Sequence, residues 1–381
     1  MDNKKWVSVW GNSITCDEFS PSNYAKDITL RYFITTAVNG EKIKLRFSNT
    51  YGYEDVVLTR VTVGMADKDG NVSEIKDVTF GKNKSAKIAK GTTYLYSDEI
   101  DFVTEFNGKI AVSIYLENYT DMHSAISTAG PLTNNRFCKG DFSGAKAFEP
   151  QLSEGTARTY FLDTVEVLAS NDCKAAVVFG DSISAQSWPE WLALRLRGEN
   201  RSDISVVRRA VSGSRVLREY SNLSLLKYAH AGIARFEADI SSVKGADRVF
   251  VLHGVNDIIH PQEGVLFRPM SDLPTAEDLI AGYRRYIDIA HKYGLKIYIA
   301  TITPFCNWRT YDKTRNDIRE SVNKWIMSCN EADGYIDFAG ALCNPEKPAV
   351  LLDVYNSKDN LHPSLEGGKA LAESVPEDYL K

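Results

Sequence analysis

The sequence predicts two domains of different class: a β-sandwich of jelly-roll type over residues 1–172 and an α/β domain over 173–381. Three observations lead there. At 381 residues the chain is long for one domain and comfortable for two, at ~100–200 residues each. Its first part alternates apolar and polar side chains at the two-residue period of half-buried strands. From Cys173 onward the pattern becomes continuous apolar runs separated by amphipathic stretches.

In the first part the alternating segments are Ile43–Ser48, Val56–Val63 and Lys109–Leu116, separated by turn signals at Asn39-Gly40, Asp69-Gly70-Asn71 and Asn107-Gly108. A stretch from about Pro131 to Asp172 connects the parts and carries strand-like Arg158–Leu162 and Val165–Leu168. In the second part the predicted strands are Ala175–Phe179, Ile204–Val207, Arg248–Leu252, Lys296–Ile302 and Tyr335–Phe338. Helical periodicity marks Glu190–Arg197, Ala276–His291, Asn316–Met327 and Leu365–Val375. Such alternation describes a parallel sheet covered on both faces, and function gathers at the carboxyl ends of its strands.

Composition narrows the function. The chain is 25% charged with a net charge of -5 and no Lys/Arg-rich stripe, so no nucleic-acid partner is expected. No apolar run approaches the ~20 residues of a membrane span. The start of the chain reads as a strand and turn, Val7–Asn12, not as a signal peptide; a cytoplasmic location is expected, or a secreted one if a leader was trimmed. Six scattered cysteines without a CxxC pair argue against a disulfide framework or a zinc site, and Cys306 and Cys329 are expected to be buried thiols.

Four short segments carry chemistry. Gly180-Asp181-Ser182 leaves the first apolar strand, where a serine hydroxyl would be exposed and backbone N–H groups would face a developing oxyanion. The tripeptide also reads as an ordinary turn, since all three residue types favour turns. Gly213 follows the second strand and lets the backbone approach a ligand. Asn256 follows the third strand, where its side-chain amide can donate to an oxyanion or close an Asx-turn. His362 stands three residues after Asp359, in a loop before the last helix. Aspartate at that spacing can hold the ring so that one nitrogen is free to take a serine proton.

Competitors exist for each. Gly11-Asn12-Ser13 imitates the serine segment but has no helix after it and reads as a turn. Asp257 and His260, and Asp288 and His291, share the aspartate–histidine spacing; the second pair ends a helix, as a solvated surface pair would. His253 and His260 remain alternative bases, and Asp353 and Asp337 alternative acids.

Taken together, the four segments resemble the signature blocks of the SGNH hydrolases, the GDSL esterase/lipase superfamily. The resemblance covers the chain from about Cys173 and implies a flavodoxin-like sheet. It implies Ser182 as nucleophile, His362 as base and Asp359 as acid, with an oxyanion hole from the N–H groups of Ser182 and Gly213 and the amide of Asn256. No metal or organic cofactor is implied. Ile183 stands where leucine is commonest in the family. The β-rich first part resembles the N-terminal domain of a bacterial branch of the superfamily.

The resemblance implies a short-chain carboxylesterase, with a small-molecule or oligosaccharide ester, a carbohydrate O-acetyl ester above all, as substrate. A lipase or arylesterase, an acyltransferase on the same residues, and a carbohydrate-binding protein with a vestigial hydrolase half are the alternatives. Trp188, Trp308 and Tyr311 follow strand ends and are read either as sugar-stacking aromatics or as core.

Overall fold

The computed structural model describes residues 3–16, 24–220 and 227–381. The chain divides into two compact units, residues 1–174 with 199–205, and residues 175–198 with 206–381.

The first unit is built from antiparallel strands. A six-stranded sheet runs in the order Ser153–Thr156, Asn134–Lys139, Ile28–Thr35, Lys109–Leu116, Arg60–Ala66, Val72–Val78. A second, five-stranded sheet is built around Lys4–Gly11, Leu162–Ser170 and Gly40–Phe47. The alternating burial of Ile100–Thr104 is the pattern that a one-sided core imposes on a strand. Of the strands predicted in the connecting stretch, Val165–Leu168 lies within the second sheet, whereas Arg158–Tyr160 pairs with Ser124–Ser127 in a separate three-stranded sheet.

The main sheet of the second unit has five strands, numbered here in chain order: β1 (Lys174–Gly180), β2 (Ile204–Ala210), β3 (Ala246–Leu252), β4 (Lys296–Ala300) and β5 (Gly334–Ile336). Their order in the sheet is β2-β1-β3-β4-β5, the flavodoxin-like arrangement, and β1, β3, β4 and β5 pair in parallel. The helices are α1 (Ser182–Ala185), α2 (Trp188–Gly198), α3 (Gly232–Ser241), α4 (Val255–Ile259), α5 (Ala276–Lys292), α6 (Lys313–Ser328), α7 (Phe338–Leu342) and α8 (Leu365–Ser374). α3, α5 and α6 pack in one group, and α2, α7 and α8 in another. Burial of nearly every residue of β1 and β3 follows from a sheet covered on both sides. Between β1, α3 and α5 the rings of Phe179, Phe236 and Tyr286 meet edge-on or tilted at 4.5–5.5 Å.

Several elements differ from the sequence reading. β4 ends at Ala300, and β5 occupies Gly334–Ile336 because Asp337 leaves the strand to cap α7 through the Gly340 N–H. Trp188 belongs to the core: its indole N–H donates to Ser184 Oγ at 3.2 Å, and its ring meets Phe338 edge-on. Cys306 and Cys329 are half-buried, one in the loop after β4 and the other at the C-cap of α6, where neither packs as core. Among the described residues no helix is long and apolar enough to cross a membrane, and no cluster of His, Cys, Asp or Glu has metal-holding geometry.

Candidate active site

β1 delivers Ser182. Gly180 is required at the end of this strand because a β-carbon there would stand 2.1 Å from the Leu252 carbonyl oxygen of β3. Asp181 then caps α1, its side-chain Oδ1 accepting from the Ile183 N–H at 3.1 Å, and Ser182 is the first helical residue. Ser182 is thus on a one-turn helix of its own, where the sequence suggested a strand exit before α2.

His362 reaches it from the other end of the chain. His362 Nε2 lies 2.8 Å from Ser182 Oγ, and Nδ1 lies 2.6 Å from Asp359 Oδ2. A carboxylate only accepts, so Nδ1 carries the proton and Nε2 is left to accept from the serine hydroxyl. Asp359 also accepts from the backbone N–H groups of Leu361 and His362, at 2.9 and 2.8 Å. Burial raises its pKa, but the His362 ring and these N–H groups outweigh burial and hold the carboxyl below the usual range. Ser182 is 8% exposed, so the hydroxyl is covered without being sealed from a ligand.

Gly213 and Asn256 belong to the same construction. The Gly213 loop is tied to β1 by the Val211 N–H, which donates to the Gly180 carbonyl at 3.0 Å. Gly213 has φ +78°, and a β-carbon on it would stand 2.1 Å from the Tyr228 ring, so only glycine fits. Asn256 sits on α4, not in an Asx-turn, and its Nδ2 donates to the Ser214 carbonyl at 3.0 Å. The next residue, Asp257, accepts from the N–H groups of Val216 and Leu217, at 2.7 and 3.0 Å. One dipeptide therefore clamps the whole 213–217 loop. Among the described residues no acceptor takes the backbone N–H of Ser182 or of Gly213.

Asp181 and Asp257 are both buried, and burial pushes their carboxyls up, to about 7 and about 6. Arg235 compensates in part for Asp181, and Arg215 for Asp257; Arg235 lies over the Phe179 ring, and its Nη2 donates to the Gly180 carbonyl at 2.9 Å.

The competing residues have other partners. His260 is set against the Tyr220 hydroxyl, which donates to the Gly213 carbonyl at 2.7 Å. A hydroxyl has one proton to give, so His260 Nδ1–H donates to Tyr220. Burial pushes the His260 pKa down to about 3, helped by Arg268, Arg215, Arg309 and His362. His253 is enclosed between Ser214 and Tyr286, and burial pushes it to about 3 as well. His291 pairs with Asp333 at 2.9 Å, not with Asp288, because Asp333 precedes β5 alongside the end of α5. Asp337 is occupied by Thr301 and the Gly340 N–H. Tyr220, Tyr228 and Arg235 were absent from the sequence reading, for they lie in no motif. The positive φ of Gly213 is the signal that something packs against it.

This geometry is that of a serine hydrolase. The chain belongs to the GDSL-like lipase/acylhydrolase family, whose model matches residues 178–370. No curated protein matches the chain. Among solved structures, a GDSL-like lipase from Bacteroides thetaiotaomicron is 16% identical, covering 53% of this chain and 85% of its own, with a TM-score of 0.38. The acetylxylan esterase Axe2 from Geobacillus stearothermophilus is 19% identical, covering 53% and 91%, with a TM-score of 0.39.

Proposed function

We propose that this chain hydrolyses short-chain carboxylic esters through an acyl-enzyme on Ser182, with O-acetylated carbohydrates as its substrate class. The observation that carries the mechanism is the hydrogen-bonded series Asp359–His362–Ser182. Ser182 Oγ attacks the ester carbonyl carbon while His362 Nε2 takes its proton, and Asp359 stabilises the resulting imidazolium. The oxyanion rests on the N–H groups of Ser182 and Gly213 and the amide of Asn256. Collapse expels the alcohol, protonated by His362, and leaves the acyl group on Ser182. Water then adds with His362 as base and the carboxylic acid leaves.

Crowding supports a small acyl group. Tyr220, Tyr228 and His260 pack with ring centroids 4.9–5.9 Å apart beside Gly213, filling space that a long acyl chain would need. Support for the sugar rests on the resemblance of the β-rich first unit to domains found ahead of such hydrolases. Trp308 lends it nothing, since Arg309 lies over its ring at 4.9 Å. Acetate release from acetylated xylo-oligosaccharides, with no turnover of p-nitrophenyl palmitate, is the expected result. Palmitate turnover without acetate release overturns the reading.

A further inference from the structure

A cleft of about 400 Å³ opens in the first unit, on one face of the six-stranded sheet. Its lining collects charge of one sign. Arg31, Lys68, Lys109 and Arg136 all border it, and Asp69 is the one acid among the described lining residues. This happens in a chain whose net charge is -5. None of the four cations forms an ion pair among the described residues, while Lys4, Arg46, Arg60, Lys84 and Lys87 of the same unit each do.

Two of these cations are placed against ordinary sheet energetics. Arg136 stands directly opposite Arg31 in the antiparallel register, where like charges repel. Arg31 is only 1% exposed, so its charge is buried without a counter-ion. Burial accordingly pulls its pKa down to about 10.

The donors are partly used and partly spare. Arg31 Nε donates to Ser113 Oγ at 2.8 Å, and Nη2 to the Phe142 and Ala145 carbonyls at 2.8 and 3.0 Å. Those bonds and the Phe148 ring, 4.2 Å from the guanidinium carbon, fix its plane. Its Nη1 donates to no group among the described residues. Arg136 Nη2 donates to Ser153 Oγ at 3.0 Å, whereas its Nε is buried with no partner. A rigid guanidinium with a spare edge, a second one opposite it and two lysines nearby match the oxygens of a carboxylate or phosphate.

We infer that this cleft binds an oxyanion-bearing small molecule of sugar size, its carboxylate or phosphate group held by Arg31, Arg136 and Lys109. The site lies wholly in the first unit and does not depend on the ester chemistry of the second.

The test is isothermal titration of the intact chain at low salt with D-glucuronate, inorganic phosphate and D-glucose. At least one anion is expected to bind and glucose to give no heat. Glucuronate alone identifies a carboxylate site, phosphate alone a phosphate site, and both a general oxyanion site. Arg136→Gln and Lys109→Gln should each weaken the anion by at least about tenfold while p-nitrophenyl acetate turnover stays unchanged. Lys68→Gln, in an exposed turn, should weaken the anion less and lower the salt sensitivity of its binding, and serves if either strand variant fails to fold. No anion binding up to about 10 mM, equal binding of glucose, or anion affinity unchanged in all folded variants would overturn the inference.

Discussion

His362 helps to lower the pKa of His260, yet their partners give the two rings opposite capacities. Asp359 accepts from His362 and leaves its Nε2 facing Ser182, whereas His260 is buried, neutral and spends its proton on Tyr220. Removing His362 removes the base, while Asp359→Asn leaves an imidazole that can still adopt a working orientation part of the time. In p-nitrophenyl acetate turnover, His362→Ala should therefore lose more than Asp359→Asn, and the reverse order would point to another acid. Asn256→Ala should lower kcat about 10²–10³-fold with a small change in KM, because its amide acts on charge that develops only in the transition state. An unchanged kcat would confine Asn256 to holding the Ser214 carbonyl. At this scale the sequence was most legible. Asp359 and His362 are close enough in the chain for a local loop to join them. Tyr220 and Tyr228 were illegible because a ring that packs on a loop glycine leaves no spacing to read.

Short helices control the site, and they were the elements least visible beforehand. α1 has four residues and α4 five, too few for a helical period to show. α3 is longer, but Ala231 before it offers no capping side chain to mark its start. α5, by contrast, announces itself with a full capping box between Thr275 and Asp278. The cap of α1 carries a pH signature. Asp181 titrates near 7 when folded against an ordinary value of 3.8. Between those values the unfolded chain releases a proton that the folded chain keeps, so this group's contribution to stability falls as pH rises. Asp181→Asn retains an acceptor for the Ile183 N–H and has no such proton. Its melting temperature relative to the parent chain should rise steadily from pH 4 to pH 7. A difference independent of pH would refute the buried, protonated cap.

Across the whole second unit, sheet order brings the distant segments together. In the order β2-β1-β3-β4-β5 the direction of winding reverses between β1 and β3, and ligands bind in the crevice at such a point. Ser182 follows β1 and Asn256 follows β3, so the proposed nucleophile and the proposed oxyanion donor flank that crevice. The strand types could be read from apolar runs, but the order could not, because it depends on which strands pair and not on what each contains. The division into units was also only partly legible. Residues 199–205 return to the first unit, where Lys174 N–H donates to the Asp203 carbonyl and Ser205 Oγ to the Ser8 carbonyl. A fragment of residues 175–381 leaves that segment without these partners and should melt below the intact chain. Melting at the same temperature would show the segment to be dispensable.

The claim on which the rest depends is that Ser182 is the nucleophile that His362 activates. Covalent labelling by a fluorophosphonate, read by peptide mass spectrometry, tests it most directly. The account predicts one adduct, on Ser182, that forms much more slowly in His362→Ala and not at all in Ser182→Ala. An intact chain that takes no label, or a Ser182→Ala chain labelled as fast as the parent, would contradict it.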